Sequence, residues 1–219
     1  VLITTRIRPG LPSLRRSGEA AQIRAALASS SLAGSGITEG VVSARGGGTA
    51  RGVAPFQVVH YSIQSNHLHL IVEAEDRAAM TTGMRALLVR IARALNRLWD
   101  RAGSVFADRF HERTLLNPRQ VRNALVYVLQ NLRKHGICLA GPDPFSSGPE
   151  FDGWRTEGPA ARGPEGAGSS RPAGGALGRA PVTLLRAERA GIPNPKTWLL
   201  DVGWRRHGLI DPCECPRAH

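Results

Sequence analysis

At 219 residues and 42% hydrophobic, the chain has enough apolar content for one domain of ordinary size plus appendages, and its three cysteines exclude a disulfide framework. Its formal net charge of +12 comes from 29 Lys+Arg against 17 Asp+Glu, and with only Lys134 and Lys196 as lysines nearly all of it is arginine. Arginine pairs bidentately with phosphate and stacks on bases, so nucleic acid is the favoured partner; no apolar run approaches the roughly 20 residues that span a bilayer.

The expected location is cytoplasmic, since no charged-then-apolar leader opens the chain, and a short piece is expected upstream of Val1, which is not a methionine. Genomic base composition accounts for arginine over lysine but not for the excess of base over acid. Cys213-Glu214-Cys215, with His207 and His219 nearby, matches no familiar zinc spacing.

Leu2 to Ile7 is short, β-branched and bounded by Pro9-Gly10, which predicts a first strand. A short helix follows from Ser17, fading near Ser29 to Ser31, and residues 32–54, rich in Gly, Ser and Ala, read as a mobile loop. Phe56 to Gln64 predicts a second strand, with Ser65-Asn66 turning it back into a third, His67 to Glu73. His60 and Tyr61 lie on the first arm, where they either face a site or pack across the hairpin.

Side chains alternate along a strand, so His67 and His69 share one face while Leu68, Leu70 and Val72 point to a core. Two imidazoles are too few for a closed structural metal site and leave positions open for a substrate oxygen, so a metal there would be catalytic. By itself the tripeptide also reads as a half-exposed strand with two hydrophilic residues. Glu73 shares that face but is about 14 Å from His67 at strand rise, which disfavours a small-phosphoester hydrolase.

Asp76 to about Arg101 has a helical stripe of Met84, Leu87, Leu88, Ile91, Leu95 and Leu98, with Arg93, Arg97 and Arg101 stacked off it at four-residue intervals. Like charges so placed repel, which a polyanion would relieve. After Gly103, residues 104–116 read as an irregular lead into another strand, where Arg109, His111 and Arg113 alternate with apolar neighbours as a candidate phosphate track. Asp108 and Glu112 are expected to pair with these arginines.

Pro118 opens a helix expected to run through His135 to Gly136. Its apolar row is Val121, Ala124, Leu125, Val128 and Leu132; Asn123, Tyr127 and Asn131 form a second row, in which Tyr127 is either a core residue with a wet tip or a nucleophile. Between residues 76 and 134 twelve Arg and Lys stand against four acids, so the charge is concentrated beside these motifs. The expected division is a domain over 1–137 and a Gly/Pro-rich tail over 138–219, with a linker from Gly158 to Pro181, a helical pattern from Val182 to Ala190, and Trp198 and Trp204 as anchors.

The order strand, helix, two strands, helix, strand, with a further helix, predicts an α+β fold: a ferredoxin-like antiparallel sheet with helices on one face plus a C-terminal helix. Asn66-His67-Leu68-His69-Leu70, Gly103-x-Val105-Phe106-x-x-Arg109-Phe110 and Tyr127-Val128-Leu129-Gln130-Asn131 together resemble the REP-associated tyrosine transposases, a single-tyrosine branch of the HUH endonucleases. The resemblance spans roughly residues 56–136. It implies that His67 and His69 bind a divalent metal, Mg2+ or Mn2+, that Tyr127 is the nucleophile and that Asn131 is a third ligand. The family's commoner Asn-Pro after the tyrosine is Asn131-Leu132 here, which leaves the helix able to continue.

The implied activity is cleavage and rejoining of single-stranded or hairpin DNA through a 5′-phosphotyrosine, by a nucleoid-associated monomer or homodimer, with Arg93, Arg97, Arg101, Arg109 and Arg113 holding phosphates. The competing expectation is a non-catalytic DNA-binding protein that recognises structured repeats.

Overall fold

The computed structural model describes residues 1–32, 56–134, 136–137, 139, 141–155 and 193–216. Nearly all of the glycine-rich loop, the linker, the helical pattern from Val182 to Ala190, His135, Cys138 and His219 lie outside the described residues.

Strand β1 (Leu2–Arg6) lies inside a four-stranded sheet, between β3 (His67–Ala74) and β4 (His111–Arg113), with β2 (Phe56–Ile63) beyond β3. The order is β2-β3-β1-β4, and every neighbouring pair is antiparallel. The register sets Leu2 opposite Ile71 and Arg113, and Thr4 opposite His69 and His111. Opposed residues project to the same side, so His69, Thr4 and His111 form a row across three strands.

On the other side Ile3, Leu68, Leu70 and Val72 meet Ala20, Ile23 and Leu27 of α1 (Ser17–Leu32) and Met84, Leu87, Ile91 and Leu95 of α2 (Arg77–Leu98). Asp76 caps α2 by accepting from the Ala79 N–H at 2.7 Å. The helix ends three residues before Arg101, where Asp100 turns to φ 47° and the Asn96 amide donates to the Gly103 carbonyl at 2.8 Å. It lies so close to β2 that a Cβ on Gly83 would fall 2.1 Å from Phe56 Cγ.

The histidine face is covered too. Ile71 packs with Val121, Leu125 and Val128 of α3 (Pro118–Leu129) and with Phe151, Leu200, Trp204 and Ile210. The helix expected to run unbroken to His135 stops at Leu129 and resumes as α4 (Asn131–Lys134). Gln130, at φ −118° and ψ 24°, is buried at the break and its Nε2 donates to the Asp211 carbonyl at 2.6 Å. The strand expected within 104–116 shrinks to three residues, because the neighbouring stretch serves β1 differently: the Arg8 N–H donates to the Val105 carbonyl, and Ile7 bridges Phe106.

Two later stretches complete the packing. Residues 141–155 cover the β2 edge, where the Ile63 N–H reaches the Phe145 carbonyl at 2.8 Å and the Ser147 N–H reaches Tyr61 at 3.0 Å; an uncovered edge would invite pairing with another chain. Arg15 grips the buried Asp143 through two nitrogens, each at 2.8 Å. Residues 193–216 are tied down by Glu73, which accepts the N–H groups of Lys196 and Thr197 at 2.9 and 2.8 Å. A short α5 (Trp198–Asp201) leads to the fully buried Trp204, whereas Trp198 stays 49% exposed beneath the Arg206 guanidinium. Among the described residues no helix is long and apolar enough to cross a membrane.

Candidate active site

His67 and His69 do share a face of β3, and their Nε2 atoms approach to 3.0 Å. The other ring nitrogen of each is held: His67 Nδ1 lies 2.8 Å from Asn66 Oδ1, and His69 Nδ1 lies 2.9 Å from Thr4 Oγ1. An amide oxygen only accepts, so a proton on His67 Nδ1 would satisfy it and leave the Nε2 lone pair for a cation. Orienting a ring through one nitrogen while the other is aimed inward is the usual support of a metal-binding imidazole. Bonds of about 2.1 Å at right angles also place two donors about 3 Å apart, so this pair fits a shared cation.

Tyr127 comes to the same place from α3. Asn117 caps that helix, accepting from the Gln120 N–H at 2.9 Å, and Gln120 Oε1 accepts from the Leu116 N–H at 2.8 Å. With Val121, Leu125 and Val128 anchored in the core, Tyr127 is half-buried with its ring edge-on to His69, centroids 4.8 Å apart. The break at Gln130 brings α4 alongside, and Lys134 Nζ sits 5.0 Å from the centre of the tyrosine ring. Asn131 is 2% exposed, and its Oδ1 has no hydrogen-bond partner among the described residues. Those residues also contain no group of three His, Cys, Asp or Glu suited to a metal. A buried amide oxygen without a partner is chemically able to donate to a cation.

Between β4 and α3 a cleft of about 370 Å³ opens beside Tyr127, lined also by His111, Arg113, Asn123 and Lys134. The tyrosine therefore borders a space that a substrate can occupy.

No family model matches the chain, and no curated protein does. A solved structure is similar: a REP-associated tyrosine transposase bound to a REP hairpin. It is 18% identical, with a TM-score of 0.46, over 67% of this chain and 74% of that one.

The five arginines expected to hold phosphates do not form one surface. Arg113 lines the cleft with Tyr127. Arg93 and Arg97 are exposed on α2, over the opposite side of the sheet, and Arg101 is bonded to Asn96 Oδ1 at 3.1 Å. Arg109 lines a separate groove between α2 and β4. Glu112 pairs with Arg77 at 3.6 Å.

His60 packs edge-on against Phe151 and reaches Ser147 Oγ at 3.2 Å, and Tyr61 is buried in the other core. Burial pushes the Tyr61 phenol above its ordinary value, against the opposing pull of Arg24, which suits a packing residue and not a nucleophile. Glu73 is taken up by the 193–216 stretch. Thr4 and Lys134 escaped the sequence reading. Thr4 supports His69 only through the strand register, and Lys134 reaches Tyr127 only through the break at Gln130.

Proposed function

We propose that this chain is a metal-dependent transposase of the HUH type, which nicks and rejoins single-stranded or hairpin DNA through a covalent bond to Tyr127. A ferredoxin-like sheet would be its scaffold; the strand order and the antiparallel pairing support that reading. The observation that carries the function is the convergence of His67 and His69, from β3, with Tyr127, from α3, on one face of the sheet. A core tyrosine would not need to border an open, cationic cleft.

His67, His69 and Asn131 would hold Mg2+ or Mn2+, which supplies charge neutralisation at a non-bridging oxygen of the scissile phosphate. Tyr127 gives up its proton to solvent and its oxygen attacks phosphorus in line; the bond to the 3′-oxygen breaks, and that oxygen takes a proton as the free 3′-hydroxyl. The 5′-phosphate stays on Tyr127. A second 3′-hydroxyl attacks the same phosphorus to restore a diester and release the tyrosine, so no nucleotide triphosphate is consumed. Arg113 and Lys134, on the cleft wall, steady the flanking phosphates.

The test is a denaturing gel of labelled hairpins incubated with the protein and manganese or magnesium. The wild type gives a metal-dependent protein–DNA adduct, Tyr127→Phe gives none while binding within about twofold of wild type, and His67→Ala loses most of it. An undiminished adduct from Tyr127→Phe overturns the assignment. Salt-sensitive hairpin binding that ignores EDTA and His67→Ala, with no nicking under any metal, returns the chain to the non-catalytic DNA-binding alternative.

A further inference from the structure

We infer that the cleft beside Tyr127 is a pocket for a single unstacked nucleotide next to the scissile phosphate, and that Asn123 reads its base; the word scissile rests on the function proposed above. Size is the first reason. At about 370 Å³ the space lies at the small end of the roughly 300–1,000 Å³ range of one-ligand sites, suited to one nucleoside and not to a stacked duplex.

Chemistry is the second reason, because the lining divides as a nucleotide does. Leu2, Leu115 and Ala124 give an apolar surface for a base, and Arg113 and Lys134 supply cations for phosphates. The amides of Asn123 and Gln120 border the same space. Gln120 is already committed through Oε1 to the Leu116 N–H. Asn123 is exposed and makes no side-chain hydrogen bond among the described residues, so both ends of its amide are available to a base edge.

Position is the third. Asn123 stands one helical turn before Tyr127, a rise of about 6 Å along the same side of α3. A base that meets Asn123 therefore belongs to the nucleotide adjoining the phosphate that Tyr127 reaches. A base buried in a duplex stack cannot enter such a recess, which is a physical reason for the substrate to be single-stranded at this point.

The experiment measures binding of fluorescent single-stranded pentanucleotides, one for each base and one abasic, to the full chain without metal. The wild type binds its preferred base roughly 5- to 150-fold more tightly than the abasic strand, the range of one good bidentate amide contact. Asn123→Leu removes that preference. Asn123→Asp, which can only accept, moves the preference toward bases that offer an amino group. Arg113→Ala weakens all five strands about equally and lowers the salt slope by about one.

Equal wild-type affinity for abasic and base-bearing strands, an unchanged preference in Asn123→Leu, or no binding of any strand overturns the inference. Tyr127→Phe keeps the preference. A base preference without an adduct keeps the pocket and rejects the reaction; an adduct without a base preference does the reverse.

Discussion

At Asn131 the site proposed above and the stability of the fold pull in opposite directions. Its Oδ1 is buried with no partner among the described residues, and such a group costs about 1–3 kcal/mol relative to a satisfied one. Leucine is close to asparagine in shape and has nothing to leave unsatisfied. Asn131→Leu should therefore raise the thermal midpoint of the metal-free protein while reducing the further rise on adding Mn2+, both read by scanning fluorimetry. A lower midpoint in the metal-free variant would mean that the amide already has what it needs, and the third-ligand role would fall with that result. His67 and His69 follow the same logic with the opposite balance, since Asn66 and Thr4 already satisfy one nitrogen of each ring.

Among the elements, α2 and β2 set a close tolerance at Gly83. Alanine in mid-helix is worth up to about 1 kcal/mol over glycine. Here its Cβ would lie 2.1 Å from Phe56 Cγ and 2.6 Å from Phe56 Cβ, atoms near the backbone that cannot swing aside, and overpacking costs about 1–3 kcal/mol or more. The clash outweighs the propensity, so Gly83→Ala should lower stability by about 1–2 kcal/mol in urea denaturation, whereas an open helix position would gain. This limit was not legible in the sequence, where Gly83 is only a weak residue in a strong stripe. The stripe itself was legible, as were the first three strands, the shared face of His67 and His69, and the start of α3 at Pro118, because each follows from local spacing. The break at Gln130 was not, since its side chain binds a carbonyl 81 positions away, and Leu132 offers no local signal to stop. Nor was the dispersal of the arginines, because periodicity assigns a residue to a helix face but not that helix to a face of the sheet.

For the whole molecule, the governing fact is that α3 is held from both sides: by the sheet through Ile71 and by residues 193–216 through a latch at Arg122. Arg122 donates to both oxygens of Glu214 at 2.7 and 2.8 Å, and to the carbonyls of Gly208 and Leu209. Its hydrogen bonds hold the Glu214 carboxyl below the usual carboxylate value of 4.5, with burial pulling the other way. A folded-state value that is depressed adds stability that is fully present above the unfolded value and is lost as pH falls through the folded one. Acidification below about pH 4.5 should therefore loosen the latch. Tryptophan fluorescence from Trp204 would report it, together with earlier protease cutting after Arg205 and Arg206. Glu214→Gln should reproduce the loosened state at neutral pH, at a cost of about 1 kcal/mol because solvent screens a partly exposed pair, and remove that part of the acid transition. If the variant keeps the wild-type acid profile, the transition does not run through Glu214, and the latch on α3 does not depend on its charge.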